Sequence, residues 1–195
     1  MWPMNEDAID RIVHQWNRER PDLDVSPTHV LQRITRLYLL QSASFAELFG
    51  RYGLTFGEYE VLAALMRTGP PHRLKPSELV GALVLSSGAM TNRIDRVEAA
   101  GLVERLPDPD DRRGTLVALT DRGRQVVDEA VVAHLSNEQR LLAELSAAER
   151  EKLAGLLRKL LLSEPFVALD PTRSVDRNGG RVTDQAARAR RPRRR

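Results

Sequence analysis

The 195-residue chain contains no cysteine, which excludes disulfides, thiolate metal sites, a cysteine nucleophile and a thiol redox switch. Aromatic residues are scarce at 5%, so a core must be assembled mainly from the Leu, Val and Ala within its 42% hydrophobic content. No run approaches the about 18 consecutive apolar residues of a membrane-spanning helix. The N-terminal MWPMNEDAID is acidic where a signal peptide is basic and then apolar, and a cytoplasmic protein with no membrane partner is expected. Catalytic signatures are missing as well. There is no G-x-S-x-G and no glycine-rich phosphate loop, and His14, His29, His72 and His134 are too scattered for a metal pair such as H-E-x-x-H. Asp108, Asp110 and Asp111 cluster, but without the glycine and glutamate at the offsets an EF-hand loop needs. Neither an enzyme nor a cofactor is expected.

Excess positive charge is also missing from most of the chain. The formal net charge is +3, yet residues 170–195 alone carry nine arginines against three aspartates, a balance of +6, which leaves residues 1–169 at −3. Any affinity for a polyanion must therefore rest on where the charges sit. The tail, residues 166–195, is rich in charge and poor in large apolar side chains, and is expected to be disordered.

What the sequence does contain is helical periodicity broken by clear punctuation. Ile9, Ile12, Val13 and Trp16 lie on one helical face in residues 5–20, with Arg20-Pro21 as the stop. Ser26-Pro27 reads as cap and first position of a second helix reaching about Gly53, and Thr55 with Glu58 as a capping box for a third ending near Thr68. Pro76 opens a short helix ending near Val84. Ser86 or Ser87 then caps a helix that Gly101 terminates. Two short strands, 102–106 and 115–119, flank an eight-residue polar loop, PDPDDRRG. Thr120 caps a long helix to about Leu145, and Ser146 with Glu149 forms another capping box. Beyond it, Leu153, Leu156, Leu157, Leu160 and Leu161 make an apolar stripe, and periodicity stops after Pro165. The expected class is mainly α with a small β-hairpin.

Short helix, turn, helix and hairpin is the order of a winged helix-turn-helix, and that order suits double-stranded DNA. A helix fits the major groove and reads base edges with its N-terminal residues, here Ser86, Ser87, Thr91 and Asn92, with Arg96 a turn further on. Arg112 and Arg113 at the hairpin tip can reach a narrow minor groove, whose negative potential favours arginine. Asp110 or Asp111 can fix the direction of one of them by a charge-assisted hydrogen bond, while Asp108-Pro109 and Gly114 supply the turn chemistry. A solvated hairpin is the plain alternative for such a loop. A winged-helix protein-interaction module that never reads DNA is the plain alternative for the whole.

The stretch MTNRIDRVEAAGLVERLPDPDDRRGTLVALTDRGR resembles the MarR family of bacterial transcription regulators, and the likeness extends over roughly residues 28–162. The resemblance implies a regulator, most often a repressor, that binds a palindromic site as a homodimer through intertwined N- and C-terminal helices and is released by a small aromatic or anionic effector. It divides the chain into an extra N-terminal helix (1–25), a dimerisation helix (26–53), the DNA-binding region (54–120), C-terminal dimerisation helices (121–165) and the basic tail (166–195). The extra helix is similar to that of the urate-responsive, PecS- and HucR-like branch. The branch's urate site, carried over by motif, implies Trp16, Glu60 in GEYEVL, Arg93 in NRID and Arg105 in GLVER. The branch usually has aspartate where Glu60 stands, one methylene shorter. A flat anionic heterocycle suits an arginine fork beside an aromatic face. Each residue also has a structural reading: Trp16 as core, Arg105 paired with Glu104 or a wing aspartate, Arg93 on phosphate, and Glu60 as a solvated helix position.

Overall fold

The computed structural model describes residues 6–83 and 87–169. Ser86, the side chain of Ser87 and residues 170–195 of the basic tail lie outside what it describes. The chain forms two compact units, one ending at Phe56 and the other beginning at Gly57.

The first unit contains α1 (Ala8–Glu19) and α2 (Thr28–Gly50). Asp7 starts α1: its Oδ1 accepts the N–H groups of Ile9 (2.7 Å) and Asp10 (3.1 Å), and the Asp10 carboxylate takes the Asp7 N–H in return. Arg33 of α2 holds the same two acids, with Nε 2.8 Å from Asp7 and Nη2 2.6 Å from Asp10. Ile9 and Val13 are buried, whereas Trp16 is 50% exposed. Ser26 does not cap α2. Its N–H is taken by Asp24 (2.9 Å) and its carbonyl accepts the N–H of His29, so a local turn feeds the helix and Pro27 occupies the cap position without a side-chain bond. At the other end Phe45 and Phe49 are buried, with the Phe56 ring 4.8 Å and 5.7 Å from theirs.

The second unit follows from α3 (Phe56–Arg67) through β1 (Arg73–Leu74), α4 (Pro76–Leu83), α5 (Ser87–Ala99), β2 (Val103–Asp108), β3 (Asp111–Leu119), α6 (Asp121–Leu141), α7 (Ala147–Leu161) and α8 (Glu164–Leu169). The strands form an antiparallel sheet in the order β1-β3-β2. Its core brings together Val61, Leu62 and Leu65 of α3, Leu79 of α4, Met90, Ile94 and Val97 of α5, and Val117 and Val127. Gly101, at φ +70°, ends the α5 turn as its position predicts. Thr120 caps α6 as expected: its Oγ accepts the Gly123 N–H (3.0 Å) and donates to the Gly101 carbonyl (2.8 Å). Ser146 and Glu149 close their capping box.

The structure departs from the sequence reading at further points. The eight-residue loop is mostly strand, with Asp108 pairing Asp111 across a turn at Pro109-Asp110. A ribbon whose one buried side chain is the charged Asp108 shows no apolar alternation, so hydropathy conceals it. β1 was not foreseen, because two residues are too few to show a period; it exists because β3 offers it an edge. Helical structure resumes past Ser163, with Pro165 in the first turn of α8, where a missing N–H costs nothing. No helix is long and apolar enough to cross a membrane, and no group of three or more acids and histidines fit to hold a metal occurs, among the described residues.

Candidate nucleic-acid interface

α5 buries Met90, Ile94 and Val97, at spacings of four and three, against the core. That orientation sends Thr91, Asn92, Asp95 and Arg96 to the outer surface, and Ser87 is the first helical residue. α4 packs against α5, giving the two-helix unit the sequence predicts.

The hairpin beyond it carries an irregularity at the tip. Pro107 pairs with Thr115 and Asp108 with Asp111, so Arg112, Arg113 and Gly114 are extra residues on β3 and bulge from the ladder. Both arginines are exposed, and their guanidinium groups have no acidic partner among the described residues. The expected pairing of Asp110 or Asp111 with an arginine side chain is not made. Asp111 instead accepts the backbone N–H of Arg113 (3.0 Å), and Asp108 that of Asp110 (2.9 Å). An aspartate bonding two residues on fixes fewer rotors than an aspartate–arginine pair, so the local bond wins.

Three further arginines, Arg93, Arg96 and Arg105, are engaged by acids of the same unit. Arg93 is half-buried, its Nη1 3.1 Å from Glu60 Oε2 and donating to the Gly57 carbonyl at 3.3 Å. Arg96 Nη1 lies 3.7 Å from the largely buried carboxylate of Glu58. Arg105, reaching from β2, donates to Asp95 at 2.6 Å and to Glu98. The hydrogen bond to Asp95 raises its guanidinium pKa above the ordinary arginine value. Two carboxylates of α3 and one arginine of β2 therefore grip the two sides of α5. Of the four residues implied for an effector, Glu60 and Arg93 touch, Arg105 holds the acids of α5, and Trp16 belongs to the first unit. The partners of Arg105 were missed in the sequence, where Glu104 and the wing acids stood closer. The signal was present in Asp95 and Glu98, one turn apart on the helix that turns back at Gly101.

A MarR family model matches residues 52–114, the span from the end of α2 through the wing. The transcriptional regulator PecS of Dickeya dadantii is 38% identical over 152 residues, covering 78% of this chain and 92% of PecS. The chain belongs to the MarR family. Among solved structures, a mutant of Escherichia coli MarR complexed with operator DNA is similar at TM-score 0.62 and 28% identity, covering 75% of this chain and 97% of that one. Bordetella bronchiseptica BpsR, whose structure concerns regulation of DNA binding by 6-hydroxynicotinic acid, is similar at TM-score 0.62 and 30% identity, covering 69% and 94%. The chain is a MarR-type DNA-binding transcriptional regulator with a winged-helix fold, and these relatives are regulators, not enzymes. The interaction module without DNA readout is thereby set aside.

Proposed function

We propose that this MarR-family protein is a repressor that binds a palindromic operator as a homodimer and is released by a small anionic or aromatic effector, with urate the first candidate. Thr91, Asn92 and Arg96, with Ser86 and Ser87 at the helix start, supply base and phosphate contacts in the major groove, and Arg112 and Arg113 enter the minor groove. In a symmetric dimer the two α5 helices stand about 34 Å apart, matching half-sites one turn distant. The helix of residues 26–53 and the helices of 121–165 supply the dimer contacts, residues 54–120 the DNA-binding region, and residues 1–25 an additional helix. The exposed Leu37, Leu39 and Leu40 of α2, Leu156 and Leu161 of α7 and Leu162 just beyond it support this, because a single chain leaves that apolar surface in water.

The observation that carries the effector reading is the Arg93–Glu60 pair. Arg93 sits on the recognition helix, and its guanidinium is held by one carboxylate that an anion can replace. A flat anion taking Arg93, assisted by Arg105, leaves Glu60 facing negative charge and loosens one of the attachments of α5. That exchange shifts the protein toward a state whose helices miss the groove spacing, by an amount fixed by the anion's differential affinity. BpsR, with its aromatic acid, supports an effector of this chemical type.

The test is a DNA-release and thermal-shift titration with urate, xanthine, salicylate and citrate, on the parent and on Trp16→Ala and Arg93→Gln. Urate should release DNA from the parent and act weakly on both variants. Release from the variants at parental urate concentrations would show that the effector binds elsewhere.

A further inference from the structure

The wing is tied to the helix-turn-helix by one ion pair that its own motif does not reveal. Asp108, the last residue of β2, has a side chain only 2% exposed, and its Oδ2 lies 2.7 Å from Nζ of Lys75. At that distance the ammonium and the carboxylate form a charge-assisted pair. The other oxygen accepts the Asp110 N–H and shapes the turn. The fit over the turn is close: a Cβ at Gly114 would lie 2.9 Å from Asp108 Cβ and 3.1 Å from Asp111 Cβ.

Lys75 is a rigid post for such a pair. Leu74 before it pairs with Val117 in the sheet. Its own N–H donates to the Glu78 carboxylate at 2.7 Å, and its carbonyl accepts the N–H groups of Glu78 and the fully buried Leu79 as α4 begins. Asp108 in turn lies at the tip whose bulge carries Arg112 and Arg113. The two ends of this pair therefore connect the base of α4 to the segment that presents the wing arginines.

We propose that Lys75 is the positioning cation of the wing: by neutralising the buried Asp108 carboxylate it fixes the height and direction of Arg112 and Arg113 relative to α5, and it acts on DNA through them. The inference rests on the reading of Arg112 and Arg113 as DNA contacts. Losing the ammonium leaves the buried carboxylate only the Asp110 N–H and the charge of Arg73, a shortfall the hairpin relieves by moving.

Full-length protein is titrated by fluorescence anisotropy with a duplex selected from a random pool by the parent, at several salt concentrations, with melting followed by circular dichroism. Lys75→Met and Asp108→Asn should each weaken binding roughly tenfold, within the range one specific arginine contact supplies. Lys75→Arg, which restores the charge, should bind like the parent. In a background carrying Arg112→Ala and Arg113→Ala, Lys75→Met should change affinity less than about twofold and leave the salt dependence unaltered. A loss carried undiminished into that background, with the salt slope lower by about one, would make Lys75 a direct phosphate contact and overturn the proposal. An undiminished loss without that change of slope would make its role merely structural, which overturns it equally. Parental affinity in both Lys75→Met and Asp108→Asn would also overturn it. Should Lys75→Met fail to fold, the same comparison with Asp108→Asn decides. If Arg112→Ala with Arg113→Ala binds as tightly as the parent, the reading of the wing itself fails.

Discussion

Adding one methyl group at Gly123 should damage the fold more than its helical position suggests. Gly123 stands in the first turn of α6, and a Cβ there would lie 1.8 Å from the Leu102 carbonyl oxygen and 2.7 Å from its carbon. Backbone on both sides prevents a side chain from yielding, so α6 must withdraw by more than about 1 Å to restore van der Waals separation. Three bonds hold that turn in place: Thr120 N–H to the Leu102 carbonyl (3.1 Å), Thr120 Oγ to the Gly101 carbonyl (2.8 Å), and the Gly123 N–H to Thr120 Oγ (3.0 Å). Each contributes about 1 kcal/mol net, together roughly 3 kcal/mol. Replacing glycine by alanine returns up to about 1 kcal/mol of helix propensity. Gly123→Ala should therefore lose about 2 kcal/mol or more, read as a lower urea midpoint at unchanged slope. Gly155→Ala is the matched control: nothing lies within 4 Å of a Cβ there, and its position on α7 faces away from the leucine stripe. It should be neutral or stabilising by up to about 1 kcal/mol. Equal midpoints for the two variants, or a stabilised Gly123→Ala, would refute the reasoning about the α6 contact.

Arg112→Ala with Arg113→Ala should weaken DNA binding by about 1–3 kcal/mol and lower the salt slope by up to about two, while the melting temperature stays at the parental value, because neither guanidinium holds the fold together. If the proposed dimer forms through α7, Leu156→Arg with Leu161→Arg should turn it into a monomer by light scattering, since a leucine buried in such an interface contributes about 1.5–3 kcal/mol. The docking of α1 should fail in acid. The Arg33 guanidinium, and then the Asp7 N–H, hold the Asp10 carboxyl below its ordinary value of 3.8, so its contribution is complete above about pH 4 and is lost as the pH falls through the lowered pKa. Trp16 emission in a Trp2→Phe variant should redden over that range, and Arg33→Ala should give the acid spectrum at neutral pH.

What the sequence disclosed and what it withheld divide along the range of the interactions. The Thr120 cap and the Ser146–Glu149 box were legible because each closes within one helical turn, and the core face of α5 because Met90, Ile94 and Val97 repeat with the helix. The cap of α1 was less plain, since Asp7 and Asp10 form it with an aspartate where the usual box has glutamate or glutamine. The wing ribbon, β1 and the Lys75–Asp108 pair were hidden. Their determinants are a neighbouring strand edge and a charge thirty-three positions away, and neither leaves a period in the chain. The same holds at two of the residues proposed for the effector. NRID and GEYEVL identify Arg93 and Glu60 separately, but only the packing of α3 on α5 makes them partners.

That packing also changes what the arginines of this regulator can do. Arg93, Arg96 and Arg105 each face a carboxylate, and residues 1–169 are net acidic, so the DNA-binding face is not a general polycation. Attraction to arbitrary phosphate is left to the two wing arginines, to exposed basic side chains such as Arg73, Arg122 and Arg124, and to whatever the basic tail adds. An acidic body also makes wrong placement costly, because a protein that fails to seat its wings gains little from the rest of its surface. Under the proposed mechanism this gives a small anion its leverage. It need not compete with DNA for a broad basic patch; it needs only to take Arg93 from Glu60 and disturb the setting of α5, after which the remaining charges supply little to keep the protein on the duplex.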